Sequence, residues 1–115
     1  MSRLVGVLTD IHGDIFALDA ALGRLHGMGC DPIFCAGDLI EMEPFGEEVI
    51  QRLKSEKNVI CIKGNHERWA LERRRRRKDV RSFFEPCNIA DYVGGGIDLS
   101  REALAWLATL PGHWE

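Results

Sequence analysis

This chain lacks any apolar stretch approaching membrane-spanning length, and its start, Met1-Ser2-Arg3 before the short run Leu4 to Leu8, has no long apolar core and no small-residue cleavage site. Those absences set aside a spanning helix and a secretory leader, and a cytoplasmic, non-membrane protein is expected. Cysteine is sparse and shows no Cys-x-x-Cys spacing: Cys30, Cys35, Cys61 and Cys87 are far apart, and Cys35 and Cys61 fall inside apolar runs. Buried free thiols are expected, because a structural zinc site would need ligand pairs that the spacing does not provide. Histidine is equally sparse at four residues, and only His113 follows His66. Apart from one arginine run, low-complexity tracts and internal repeats are missing. What remains, 115 residues with 45% hydrophobic and 29% charged side chains, suits one globular domain.

Three polar clusters punctuate this chain, each directly after an apolar run: Asp10-Ile11-His12-Gly13, Gly37-Asp38 and Gly64-Asn65-His66-Glu67. Asp10 and Asp38 are 28 residues apart, and Asp38 and Asn65 are 27 apart, close to the length of one strand-helix-strand unit. Such spacing puts every cluster at the carboxyl end of a parallel strand. Ligand groups of open α/β sheets gather there, so Asp10, His12, Asp38, Asn65 and His66 can converge without being sequence neighbours. Carboxylate, imidazole and amide donors suit a first-row divalent cation.

Local patterns agree with this organisation. Arg3 to Thr9 reads as a strand with apolar side chains on both faces, which predicts burial on both sides. Asp14 caps a helix carrying Leu18, Ala21, Leu22, Leu25 and Met28, with Gly27 and Gly29 as its stop. Residues 32–36 form a second strand. Pro44 suits the first turn of the next helix, with Glu47 and Glu48 at its positive end and Val49, Ile50 and Leu53 facing the sheet. Residues 58–62 form a third strand, and a further helix starts near His66 or Glu67. Residues 85–98 read as a loop, after which Ser100 opens a last helix with Leu104, Trp106, Leu107 and Leu110. Strands laid down in one direction with right-handed crossovers put the first two helices on one sheet face. The opposite face is then left for the late segments, a partner chain or a second copy to cover.

Taken together, in order and evenly spaced, the three clusters resemble the calcineurin-like metallophosphoesterases, whose motifs run Asp-x-His, Gly-Asp and Gly-Asn-His-Asp/Glu. The resemblance spans roughly residues 3–67 and is to the amino-terminal half of bacterial-type phosphatases and phosphodiesterases. It implies an α/β fold, the parallel strand-helix-strand half of an αββα sandwich whose second sheet is largely missing here. Residues 1–115 then form a single, truncated metallophosphoesterase domain, with residues 68–81 as a basic helical insert. By the same resemblance Asp10 and His12 hold a first metal, Asp38 bridges two, Asn65 helps hold the second, and His66 protonates the leaving oxygen or steadies the phosphate. Two divalent ions (manganese, iron or zinc) are implied, with one of them bound only weakly by this chain alone. A helix-start histidine bonded to the backbone is the plain alternative for His66.

Several positions depart from the family pattern. Glu41 stands where aspartate is frequent, Glu43 where glycine is, Met42 where the protein phosphatase branch has a phosphate-binding arginine, and Asp14 where asparagine is frequent. The later histidine and Gly-His-x-His element have no counterpart. The resemblance therefore implies a phosphomonoester or phosphodiester hydrolase whose remaining ligands come from a homo-oligomer or a complementing second-half chain. A non-catalytic remnant that binds metal weakly or associates with a partner is the other reading. The run Arg73-Arg74-Arg75-Arg76-Arg77-Lys78 is read as a solvated helix; without interleaved aromatics it is a poor nucleic-acid surface. His26 is expected on the surface.

Overall fold

The computed structural model describes residues 3–75 and 99–113. Three short strands, β1 (Gly6–Leu8), β2 (Ile33–Cys35) and β3 (Val59–Cys61), form one parallel sheet in the order β1-β2-β3. Helix α1 (Ile15–Gly27) connects the first pair and α2 (Gly46–Ser55) the second. Helix α3 (Asn65–Arg75) follows β3, and α4 (Arg101–Thr109) comes last. The strand-helix-strand order is the expected one, with strands shorter than the apolar runs that announce them.

Capping chemistry sets the helix ends. The Asp14 carboxylate accepts from the Ala17 backbone N–H at 3.0 Å, and the Ser100 hydroxyl from that of Ala103 at 3.1 Å. Helix α2 starts later than its proline suggests: Phe45 is the capping position and Pro44 lies just outside. Its polar face is tied to α1 by Arg52, which donates to Asp19 at 2.9 Å and also pairs with Glu56. His26 is exposed and meets Glu56 at 3.2 Å.

Helices α1 and α2 pack together over one sheet face, and α4 packs against both α2 and α3. Leu18 and Leu22 of α1, Ile33 and Cys35 of β2, Val49, Ile50 and Leu53 of α2, Ala70 of α3 and Leu107 of α4 form the shared core. Each fully buried aliphatic side chain contributes about 1.5–3 kcal/mol of hydrophobic transfer. Cys30, Cys35 and Cys61 are buried free thiols, as the spacing implied, and Cys35 and Cys61 are register partners across β2 and β3. Hydrogen bonding to Cys35 and burial together push the Cys61 thiol well above its ordinary value.

One expectation fails. The first strand is not buried on both sides: Leu4, Val5 and Val7 are exposed, Val7 at 65%. For Val7 the alternation explains why, since Gly6 and Leu8 turn toward the helices while Val7, in register with Phe34 and then Ile60, belongs to the other face; Leu4 and Val5 lie before the paired strand. Among the described residues, α1 and α2 lie over the first of these faces. The basic insert expected over residues 68–81 lies partly within α3, and residues 76–81 lie outside the described residues, as do the loop expected over 85–98 and Cys87.

Candidate metal centre

All three polar clusters meet at the carboxyl edge of the sheet. The β1–α1 and β2–α2 loops are joined through backbone hydrogen bonds from Asp10 N–H to Gly37, His12 N–H to Asp38 and Gly13 N–H to Leu39, at 3.3, 2.9 and 2.8 Å. Glu43 and Phe45 return the pairing by donating to the carbonyls of His12 and Gly13. The β3–α3 turn closes on the same loop through two glycines. Gly37 has φ +94, and a Cβ on Gly64 would fall on the Asp38 carboxylate.

Five non-glycine residues on these loops, Asp10, His12, Asp38, Glu41 and Met42, adopt left-handed backbone, with φ between 49 and 77. L-residues occupy that region at a cost, and such strain concentrates at functional sites. Among them Asp10, His12 and Asp38 carry the ligand atoms. One ligand atom each from Asp10, His12 and Asp38 lies within 4.8 Å of the others, a separation that slight side-chain rotation closes to the span of one cation's ligands, roughly 4.2 Å across. Among the described residues this is the one cluster of three or more His, Cys, Asp or Glu groups with such spacing.

The donor set fits a divalent cation in detail. His12 Nδ1 lies 3.4 Å from the Ile40 carbonyl, and Nε2 lies 3.3 Å from Asp10 Oδ1. A proton on Nδ1, donated to Ile40, leaves the Nε2 lone pair toward the carboxylates, the arrangement typical of a metal-ligating imidazole. The Thr9 hydroxyl donates to Asp10 Oδ2 at 2.9 Å and holds that carboxyl below its ordinary value, with His12 adding to the effect. Asp10 is therefore anionic near neutral pH.

Asp38 is also a helix cap. Its Oδ1 accepts the His66 backbone N–H at 3.2 Å, so the first turn of α3 is satisfied by a residue from another strand. Asn65, the first residue of α3, is exposed and stands between Gly64 and His66, both of which touch Asp38. His66 is part-buried, its Nδ1 2.9 Å from Glu41 Oε2. Its ring meets that of His12 edge-on at 4.6 Å and that of Trp69 at 5.0 Å. The side chain of His66 thus meets a buried carboxylate.

Two glutamates turn out to organise the centre although sequence reasoning gave them no role. Glu67 is fully buried, and its carboxylate accepts from the backbone N–H groups of Asp38 (2.6 Å), Leu39 (2.8 Å) and Gly64 (2.8 Å), with Ile40 at 3.4 Å. Burial pushes this carboxyl above its ordinary value, and the three shorter amide bonds pull it back. The bond from Gly64, three residues earlier, is the reciprocal half of a capping box, and that spacing is the signal by which sequence could have found it. Glu41, also buried, orients His66.

A parallel sheet with a carboxylate-imidazole cluster at its strand ends, braced by buried glutamates, is an α/β scaffold with a candidate metal-ligating group. The chain belongs to the calcineurin-like phosphoesterase family, whose model matches residues 4–113. It is similar to the uncharacterized protein MJ0912 of Methanocaldococcus jannaschii, 30% identical over 71 residues, which is 62% of this chain and 29% of that one. Among solved structures it is similar to hypothetical protein PH1004 from Pyrococcus horikoshii OT3 (TM-score 0.79, 22% identity, 96% of this chain and 48% of that one). It also resembles a metallophosphoesterase from Sphaerobacter thermophilus (TM-score 0.72, 22% identity, 99% of this chain and 44% of that one). The chain thus spans under a third of the relative's sequence and about half of the structural neighbours.

Proposed function

We propose that this chain carries the metal-binding half of a phosphoester hydrolase site acting on phosphomonoesters or phosphodiesters. The observation that carries the reading is the convergence of Asp10, His12 and Asp38 ligand atoms within 4.8 Å on strained loops at the sheet edge. These three residues would hold one divalent cation such as manganese, iron or zinc, and Asp38 with Asn65 would contribute to a second. When bound, such cations supply Lewis acidity that lowers the pKa of a water and neutralises phosphoryl charge.

The remaining work falls to the chain's own groups. His66 Nδ1 faces Glu41 Oε2; with the ring doubly protonated, Nδ1–H would donate to that carboxylate and the Nε2 proton would be the one passed to the leaving oxygen. Glu67 keeps Asp38, Leu39 and Ile40 in place, so the Asp38 carboxylate meets its ligand without first reorganising. Among the described residues Asp38 and Asn65 would serve the second cation, and a second copy or a complementing chain would supply its other ligands.

The test is manganese-dependent hydrolysis of mono- and bis-nitrophenyl phosphate by the purified chain, beside Asp38→Asn and with metal binding measured by calorimetry. Turnover lost in the variant supports the reading; turnover retained refutes the site. Stoichiometric metal binding without turnover favours the second reading, a metal-binding half that needs a partner, which the coverage of about half of each structural neighbour also favours.

A further inference from the structure

One large side chain beside the centre has no part in the site described so far. Trp69 is 51% exposed although it sits on α3 one turn after His66, on the same side of the helix. Its ring meets the His66 imidazole at 5.0 Å and 64°, an edge contact that leaves indole surface toward solvent. His66 in turn meets His12 at 4.6 Å, so three rings step outward from the carboxylate cluster, and the outermost is the apolar, exposed one. Met42, next to the glutamate that holds His66, adds a second exposed apolar side chain on a left-handed loop position. Half-exposed tryptophan is poorly used as core, whereas a rigid π-surface next to a proton donor suits a planar group on the leaving side of a substrate.

We propose that Trp69 is a stacking platform for the aromatic moiety of a phosphoester, an aryl ring or a nucleobase, whose phosphate lies at Asp10, His12 and Asp38. This inference rests on the hydrolase reading above. It makes Trp69 a specificity residue: aromatic esters gain from it and plain alkyl or sugar phosphates do not. Stacking of one base or ring is typically lost at roughly five-fold to a hundred-fold in affinity on truncation to alanine.

The experiment uses the zinc-loaded chain labelled with fluorotryptophan; of its three tryptophans, the one whose fluorine signal is absent from Trp69→Phe reports this site. Phenyl phosphate, adenosine monophosphate, ribose 5-phosphate and inorganic phosphate are titrated in turn. The first two are expected to move the Trp69 signal and the last two to leave it in place. Trp69→Ala is expected to weaken the aromatic ligands about ten-fold or more while ribose 5-phosphate stays within about two-fold, and Trp69→Phe to keep most of the affinity. A response to phenyl phosphate alone identifies an aryl ester, and one to adenosine monophosphate alone a nucleotide; either supports the platform. A Trp69 signal indifferent to both aromatic ligands, or an alanine variant that weakens all four equally, overturns it. Zinc binding that ignores Asp38→Asn overturns the metal reading and the platform with it. Intact, Asp38-dependent zinc binding beside an indifferent Trp69 overturns the platform alone.

Discussion

Glu67→Gln isolates the structural support of the centre from its ligands. The carboxylate takes three backbone N–H bonds of 2.6 to 2.8 Å, two from the Asp38 loop and one from Gly64, and it does so with no solvent exposure. A bond to a charged acceptor is worth about 1.5–3 kcal/mol net. Burial of the charge offsets part of that total, in keeping with the raised carboxyl pKa. Glutamine keeps one oxygen and turns an NH2 group toward donors it cannot serve. The expected loss is about 2–3 kcal/mol, a large share of the roughly 5–15 kcal/mol that holds a domain together but not all of it. Because Asp38 N–H is among the orphaned donors, divalent-metal affinity should fall by about ten-fold to a hundred-fold. Guanidinium unfolding followed by tryptophan fluorescence, together with manganese calorimetry, measures both. A loss below about 0.5 kcal/mol with unchanged metal affinity would refute the claim that Glu67 fixes the loop.

Other perturbations separate the remaining parts. Glu41→Gln should leave metal binding near the parent value while lowering turnover by about ten-fold to a hundred-fold, because His66 loses its orienting anion; kcat falling less than about two-fold would exclude that role. In Gly64→Ala the added methyl meets the Asp38 carboxylate, so metal binding should be lost along with about 2–3 kcal/mol of stability, and an unaffected calorimetric titration would contradict the close approach. Cys35 and Cys61 are buried, and the Cys61 thiol is held protonated by its hydrogen bond and burial; brief iodoacetamide treatment should label neither until denaturant is added. Labelling of Cys61 in the folded chain at neutral pH would show that β3 opens.

The parts of this architecture readable from sequence are those fixed by short-range chemistry. Asp14 and Ser100 cap their helices as their side chains dictate, and the evenly spaced polar clusters end strands where an open parallel sheet needs them. Convergence of Asp10, His12 and Asp38 followed from that spacing, since the register of three parallel strands leaves their loops side by side. Long-range partners were harder to see. Glu67 reads as an ordinary first-turn acid, yet it bonds residues 27 to 29 positions away. Glu41 reads only as a departure from a family pattern until the fold sets it against His66. The exposure of Val7 was hidden for another reason: alternation shows which side chains share a face, but not whether that face has a neighbour.

The centre is braced by bonds of the chain itself. The loops of β1 and β2 are joined by backbone bonds, Asp38 caps α3 from another strand, and Glu67 reaches back from α3 to the loop that carries Asp38. The last two bonds form a closed exchange, each element supplying the acceptor that the other's backbone requires. The strain at Asp10, His12 and Asp38 is held by that exchange and by core packing beneath it, where Ile33, Cys35, Leu39 and Ile40 are buried. On the reading proposed above, a cation would meet carboxylates already gathered, and its binding energy would go into ligand bonds instead of ordering three loops. On the same reading a second cation would draw, among the described residues, on the exposed Asn65 and the shared Asp38. Metal affinity measured on this chain should accordingly be dominated by the site that Asp10, His12 and Asp38 form together.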